Sequence, residues 1–248
     1  MGSNGNTPMV FQRYEIKYLI TRRQREKLLE IMEPFMELDH YGRSTIRNIY
    51  YDTDTFRLVR KSLEKPVYKE KLRVRSYKAA GPEEEVFVEL KKKYDSVVYK
   101  RRMEISRNLA SGYLSRTARP PIKTQITEEI DYFLQFYQTL GPRVFLSYER
   151  EAYFTREPSE FRVTFDENIL WRNTDLSLGT GVYGTGILEP GQVLMEIKTP
   201  GTMPLWMVRA LSQEKIRRIT FSKYGNAYRM MMSEEKGTGT LQGGAAYA

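Results

Sequence analysis

The stretch Tyr68-Lys69-Glu70-Lys71-Leu72-Arg73-Val74-Arg75-Ser76-Tyr77 decides how the rest of the chain is read. In an extended chain successive side chains point to opposite faces. Lys69, Lys71, Arg73 and Arg75 therefore share one face, and Leu72 and Val74 share the other. Four cations in a row on one side of a strand are either a solvated face or a surface built to hold an anion. The neighbouring segments bear on the choice.

Downstream, Ala79-Ala80-Gly81-Pro82 is a turn signal, and Val86–Lys93 returns as a hairpin. Phe87, Glu89, Lys91 and Lys93 fall on one of its faces, with Val86, Val88 and Leu90 on the other. A third strand, Val97–Ile105, sets Lys100, Arg102 and Glu104 against Arg101, Met103 and Ile105, and the sequence leaves open which set faces inward. The same alternation recurs along the chain. In Phe11–Ile20, Arg13, Glu15 and Lys17 alternate with Tyr14, Ile16 and Tyr18. In Ser44–Tyr51, Arg47 points opposite Ile46 and Asn48. In Arg143–Phe154, Tyr148, Arg150 and Ala152 oppose Ser147, Glu149 and Glu151. Arg162, Thr164 and Asp166 share a face of Phe161–Ile169, and Glu196 and Lys198 share a face of Val193–Thr199.

Helical patterns separate these strands. Thr21 is a cap residue for an amphipathic helix over Arg22–Met36. Further helices are expected within Thr55–Leu63, within Asn108–Leu140 with a break at Pro120 and Pro121, over Pro204–Ile219, and over Phe221–Met232. The Gly-rich segment Asn173–Pro190 reads as a long loop.

Ionic faces that mix Glu with Lys and Arg, each backed by an apolar face, suit a sheet rolled with the charges inside. The expectation is an α+β fold: a closed antiparallel β-barrel with a charged lumen, surrounded by helices. Residues 1–8 read as a flexible leader, 9–233 as one domain, and 234–248 as a disordered tail. Buried cations need anions, and Arg forks and Lys ammonium groups match phosphate oxygens. Lys71 and Arg47 join the candidates for that contact. Glu89, Glu196 and Asp166 are the carboxylates expected to hold a divalent cation between the phosphates.

Composition limits the alternatives. The chain has 248 residues, 40% hydrophobic content and a net charge of +9, which favours anionic partners. It has no cysteine and one histidine, His40, which exclude disulfides and thiolate metal sites and disfavour a histidine triad. No run reaches the roughly 20 apolar residues of a membrane helix, and the first residues lack the grading of a signal peptide, so a cytoplasmic location is the default.

The segments RYEIKYLI, IYYDT, KLRVRSY, VELKKK, SYERE, RVTFDENI, LMEIKTPG and FSKYG, in this order, resemble the VTC domain. This is the polyphosphate-polymerase domain of the vacuolar transporter chaperone complex and its prokaryotic relatives, one of the triphosphate tunnel metalloenzymes. The resemblance covers residues 10 to 230. By position it implies that Lys17 is the first tunnel lysine, with Glu15 as its acidic neighbour, and that Arg73 and Arg75 grip nucleotide phosphates. Lys91 resembles the next tunnel lysine, Lys100 or Arg102 the one after, and Arg150 and Arg162 the later arginines. Glu196 resembles the residue that positions the metal, and Ser222 with Lys223 the phosphate-binding pair beside the last helix. Lys17, Arg73, Arg75, Lys91 and Glu196 are thus the expected catalytic set. Lys198 joins the phosphate-binding group from its strand face.

The activity so implied is transfer of the ATP γ-phosphate to a growing polyphosphate chain, with Mn2+ or Mg2+ as cofactor and positioning plus charge neutralisation as the means. The chain shows no phosphate-sensing or membrane-spanning segment of its own, so product translocation would need a separate membrane partner. Triphosphate or polyphosphate hydrolysis, or polyphosphate binding alone, are the alternatives. An RNA-binding surface is disfavoured, because tyrosines such as Tyr14 and Tyr18 share the apolar phase of their strands. Glu196 also has a plain reading as an ion-pair partner of Lys198 or an arginine.

Overall fold

A computed structural model describes residues 14–95, 97–120 and 122–240. The leader 1–8, residues 11–13 of the expected first strand, and residues 241–248 of the expected tail lie outside these. The described elements are β1 (Tyr14–Thr21), α1 (Arg22–Met32), β2 (Met36–Leu38), β3 (Ser44–Asp52), α2 (Arg57–Leu63), β4 (Tyr68–Ser76), β5 (Glu85–Tyr94) and β6 (Val97–Ser106). They continue with α3 (Arg107–Leu114), α4 (Gln125–Phe136), β7 (Gly141–Thr155), β8 (Arg162–Arg172), β9 (Thr185–Gly186), β10 (Gln192–Thr199), α5 (Leu205–Gln213), β11 (Arg218–Ile219) and α6 (Lys223–Thr240).

Local chemistry sets several boundaries. Thr21 caps α1, its hydroxyl accepting from Gln24 N while its own N–H donates to the Gln24 side chain. Pro120 falls between α3 and α4, splitting the helical region where expected. The helix expected over Pro204–Ile219 ends earlier, at Gln213, and Arg218–Ile219 pairs as a short strand beside β1. The short strands β2 and β9 carry no period-two signal, because two or three residues cannot display one.

All strands join one antiparallel sheet in the order β11-β1-β10-β8-β7-β3-β4-β5-β6, with β2 added to β7 and β9 to β8. Among the described residues β6 pairs only with β5 and β11 only with β1, so the sheet is open and the expected closed barrel is not formed. Closure needs consistent stagger and strand length around the whole ring. The terminal strand β11 offers only Arg218 and Ile219 against a β6 that runs from Val97 to Ser106.

The sheet nonetheless curls with its charges inward. Lys91 on β5 lies 3.7 Å from Glu15 on β1, although the path between these strands runs through β10, β8, β7, β3 and β4. In a flat sheet those six spacings would separate them by roughly 29 Å. Side chains, not backbone hydrogen bonds, span the groove.

Apolar burial fixes the convex face. Leu72, Val74, Val86, Val88 and Leu90 pack against Ala110, Tyr113 and Leu114 of α3 and Ile130, Phe133 and Leu134 of α4. Ile20, Val163, Phe165, Met195 and Ile197 pack against Leu28 and Met32 of α1 and Met207 and Ala210 of α5. A third cluster lies inside the curl. A β-bulge at Asn168, in the left-handed region at φ 48°, shifts the phase of β8. Ile169 and Trp171 thereby join Ile46, Tyr50, Leu146 and Leu194 beneath Tyr224, Ala227 and Met231 of α6. This helix fills part of the concave face, tied to α2 by Asp52. That buried carboxylate accepts from Leu58 N, Val59 N and the Tyr224 hydroxyl.

Leu90 is fully buried between sheet and helices. Leu90→Ala is expected to cost about 2–5 kcal/mol in chemical denaturation. Val67→Ala, at a side chain 64% exposed, is expected to stay within about 0.5 kcal/mol of the parent.

Candidate functional site

The concave face gathers the ionic residues around two carboxylate hubs. The first is Glu89, 1% exposed on β5. Its register partners are Arg73 on β4 and Arg102 on β6. Arg73 reaches it through Nε at 2.8 Å and Nη2 at 2.7 Å, Lys100 at 2.8 Å and Arg102 at 3.3 Å. Lys100 and Arg102 therefore both face inward, which settles the orientation of β6. Burial works to raise the Glu89 carboxyl pKa, but Arg73, Arg75 and Lys100 outweigh it and hold the group ionised far below the usual range.

The second hub joins Asp166 on β8 and Glu196 on β10. Arg150 forks onto Asp166 at 2.6 and 2.7 Å and reaches Glu196 at 3.4 Å. Lys223, at the start of α6, bridges the two carboxylates at 2.5 and 2.9 Å. Lys17 on β1 lies 3.3 Å from Glu196 and 3.2 Å from Glu15. Burial opposes charge on Glu15, yet Lys91 and Lys17 pull its pKa down to about 2.

Between the hubs are cations with weaker compensation. Arg75, 7% exposed, donates to Asn48 Oδ1 at 2.9 Å and to the Tyr148 hydroxyl at 3.1 Å, and stands 3.9 Å from Glu89. Lys71 donates to Ser222 Oγ at 3.2 Å and pairs with no carboxylate among the described residues. Burial, reinforced by Lys17, Lys91 and Lys69, lowers its pKa to about 8. Lys198 is also brought to about 8, by burial and the neighbouring Arg150.

Ser222 ties the groove to α6, since its Oγ also accepts from Gly225 N. Arg162 shares the inward phase of Thr164 and Asp166, stands beside Lys198 in register, and lies with its guanidinium 4.5 Å from the Phe154 ring. Arg47 is not brought to this site. It occupies the side of β3 opposite Asn48, with Ile49 and Tyr51, and its Nε is buried without a hydrogen-bond partner.

The expectation that Glu89, Glu196 and Asp166 together hold Mn2+ or Mg2+ is overturned. Among the described residues no three acidic or histidine side chains converge where one ion could be bound. Each carboxylate instead orients arginines and lysines, and Glu89 belongs to a different ion-pair hub from the other two. These residues do not fit a three-carboxylate metal centre.

The sequence reading also missed the neutral partners of the site. Tyr50 accepts from Arg73 Nη1 at 3.1 Å and stacks on Tyr224 with centroids 4.6 Å apart. Burial raises its pKa, but Arg73, Lys71 and Arg75 reverse the sign and leave it at about 8. Asn48 and Tyr50 lie in register with Arg75 and Arg73, so a pairing of β3 with β4 would have found them.

Lysine side-chain NMR checks this electrostatic picture. Lys71 and Lys198 are expected to lose their protons near pH 8, whereas exposed lysines titrate near about 10.4. Titration of both with the exposed set would refute it.

Of two similar solved structures, the first supports this architecture. A candidate adenylate cyclase from Bacillus halodurans superposes with a TM-score of 0.51 at 15% identity, covering 85% of this chain and 95% of its own. A candidate adenylyl cyclase from Hippeastrum, described as having a dominant triphosphatase activity, gives a TM-score of 0.48 at 16% identity over 87% of this chain and 94% of its own. No curated protein sequence matches. The VTC domain family matches residues 12–232. With this span, over a sheet whose concave face is lined with cations, the chain belongs to the VTC domain family.

Proposed function

We propose that this chain binds a linear condensed phosphate, either the triphosphate of a nucleotide or inorganic polyphosphate, along the concave groove. The observation that carries the reading is Lys71, part-buried in the groove with the Ser222 hydroxyl as its hydrogen-bond partner and no carboxylate in pairing distance among the described residues, next to Arg75, whose bonds go to Asn48 and Tyr148 with Glu89 only at 3.9 Å. A partly desolvated ammonium without a paired anion is costly, and Lys71 gains what it lacks when an anionic oxygen arrives. Arg73 and Arg75 present guanidinium groups suited to phosphate oxygens, and Lys71, Lys91, Lys69 and Lys198 continue the positive surface. The hub carboxylates hold the arginines in place without cancelling the whole charge.

Membership of the family favours a second reading, in which the bound chain also reacts at a phosphoanhydride. Cleavage by water, or extension of polyphosphate from ATP, would then draw on the same residues. Arg73, Arg75 and Lys71 would hold the chain and neutralise the charge that grows on the departing phosphate, with no protein nucleophile needed.

Lys71→Met separates function from stability. At pH 7 it is expected to lower affinity for inorganic tripolyphosphate by about 10-fold or more, measured by calorimetry. The free protein is expected to unfold at the same or a higher denaturant concentration, because a partly desolvated charge has been removed. Unchanged affinity would defeat the binding reading. Incubation with ATP or tripolyphosphate resolves the reaction: released phosphate without polymer means hydrolysis, long polyphosphate means synthesis, and binding without either product leaves a binding module.

A further inference from the structure

Tyr50 carries a hydroxyl proton for which the described residues supply no acceptor. The side chain lies on the concave side of β3, in register with Arg73 on β4, and is 7% exposed. Its ring is stacked on Tyr224 of α6, with centroids 4.6 Å apart and planes at 18°. Tyr224 is fixed in turn by its own hydroxyl, which donates to Asp52 Oδ2 at 2.9 Å. The Tyr50 oxygen accepts from Arg73 Nη1 at 3.1 Å, and that is its one hydrogen bond among the described residues. A phenol can both accept and donate, so a donor is left over in a groove lined with cations.

The charged and titratable groups that act on this hydroxyl are Arg73, Lys71 and Arg75 from β4 and Tyr224 from α6, with Glu89 behind Arg73 and Asp52 behind Tyr224. Its register partner on β7, Val144, is apolar. Burial disfavours the phenolate, but the three cations outweigh burial and bring the group to about 8. The two forms act oppositely on an anion. Protonated, the hydroxyl adds a hydrogen bond to the positive surface of Lys71 and Arg73. Ionised, its oxygen is a fixed counter-charge for those same cations and repels an arriving phosphate.

We propose that Tyr50 is a ligand of the bound phosphate chain, donating its hydroxyl proton to a phosphate oxygen, and that loss of this proton makes it an internal rival for Arg73 and Lys71. The proposal rests on the phosphate-binding reading above and adds to that site a residue and a pH dependence. A ligand that prefers the protonated phenol must, by linkage, make it harder to ionise. Affinity therefore falls as pH rises through the range in which free Tyr50 loses its proton.

Two measurements on the parent chain and Tyr50→Phe test this. The phenyl ring keeps the stack on Tyr224, and Glu89 still holds Arg73. In near-ultraviolet titration the parent is expected to form one more tyrosinate near pH 8 than the variant does, below the usual value of about 10. Saturating inorganic tripolyphosphate is expected to move that transition to about pH 9 or higher. In calorimetry, Tyr50→Phe is expected to weaken tripolyphosphate about 10-fold at pH 7 and to come within about 2-fold of the parent at about pH 9. Lys71 loses charge over the same range in both proteins, so the ratio of their affinities isolates Tyr50. If tripolyphosphate binds but the variant is weakened equally at both pH values, or the ligand leaves the tyrosinate transition in place, Tyr50 is not a ligand and the phosphate seat stands. If the parent chain binds no tripolyphosphate, both readings fall.

Discussion

The structure depends on a concave face that holds more cations than its carboxylates can neutralise. Glu89, Asp166 and Glu196 are buried, and each is shared among several Arg or Lys side chains. Sharing fixes the guanidinium and ammonium groups in space. It also leaves Lys71 on a hydroxyl partner, and Arg75 on amide and hydroxyl partners with Glu89 at the edge of pairing distance. An interior tuned only for stability would replace such groups with apolar ones. Their retention fits a site where part of the folding free energy is traded for anion affinity.

The remaining architecture makes that arrangement tolerable. Two apolar clusters on the convex side supply the burial that stabilises the sheet, and α1, α3, α4 and α5 cover it. A third cluster places α6 inside the curl, anchored through Tyr224 to Asp52 and Tyr50. This brings Lys223 between Asp166 and Glu196, and Ser222 beside Lys71. The bulge at Asn168 lets one strand serve both regions, with Asp166 in the ionic part and Ile169 in the apolar part of the same face. The open seam is spanned by the Glu15–Lys91 pair, whose lysine is partly exposed. An interaction of this kind is weak and salt-sensitive, so the curl is held chiefly by the packed helices.

The carboxylates have a different role from the one that residue type suggested. Glu89 and Asp166 lie in the right strands to ligate a cation, yet their oxygens are taken by Arg73, Lys100, Arg150 and Lys223. They act as orienting groups. Arg47 makes the parallel point for cations: it has the residue type of a phosphate ligand, but the alternation of β3 puts it on the helix-covered side.

By itself the sequence determined which residues share a strand face, because side-chain direction alternates with a period of two whatever the partner strand. That was enough to group Lys69, Lys71, Arg73 and Arg75, to pair Glu89 with Lys91, and to carry the family resemblance that spans the domain. Long helices with caps, such as α1 behind Thr21, were legible for the same local reason. Tertiary structure alone decided the inward set of β6, the side of Arg47, the insertion of α6, and the failure of β6 and β11 to pair. It also decided that carboxylates meet arginines and not each other. These outcomes depend on contacts between residues far apart in the chain, such as Lys223 with Asp166 and Glu15 with Lys91, where curvature and register set the distances and no local pattern records them.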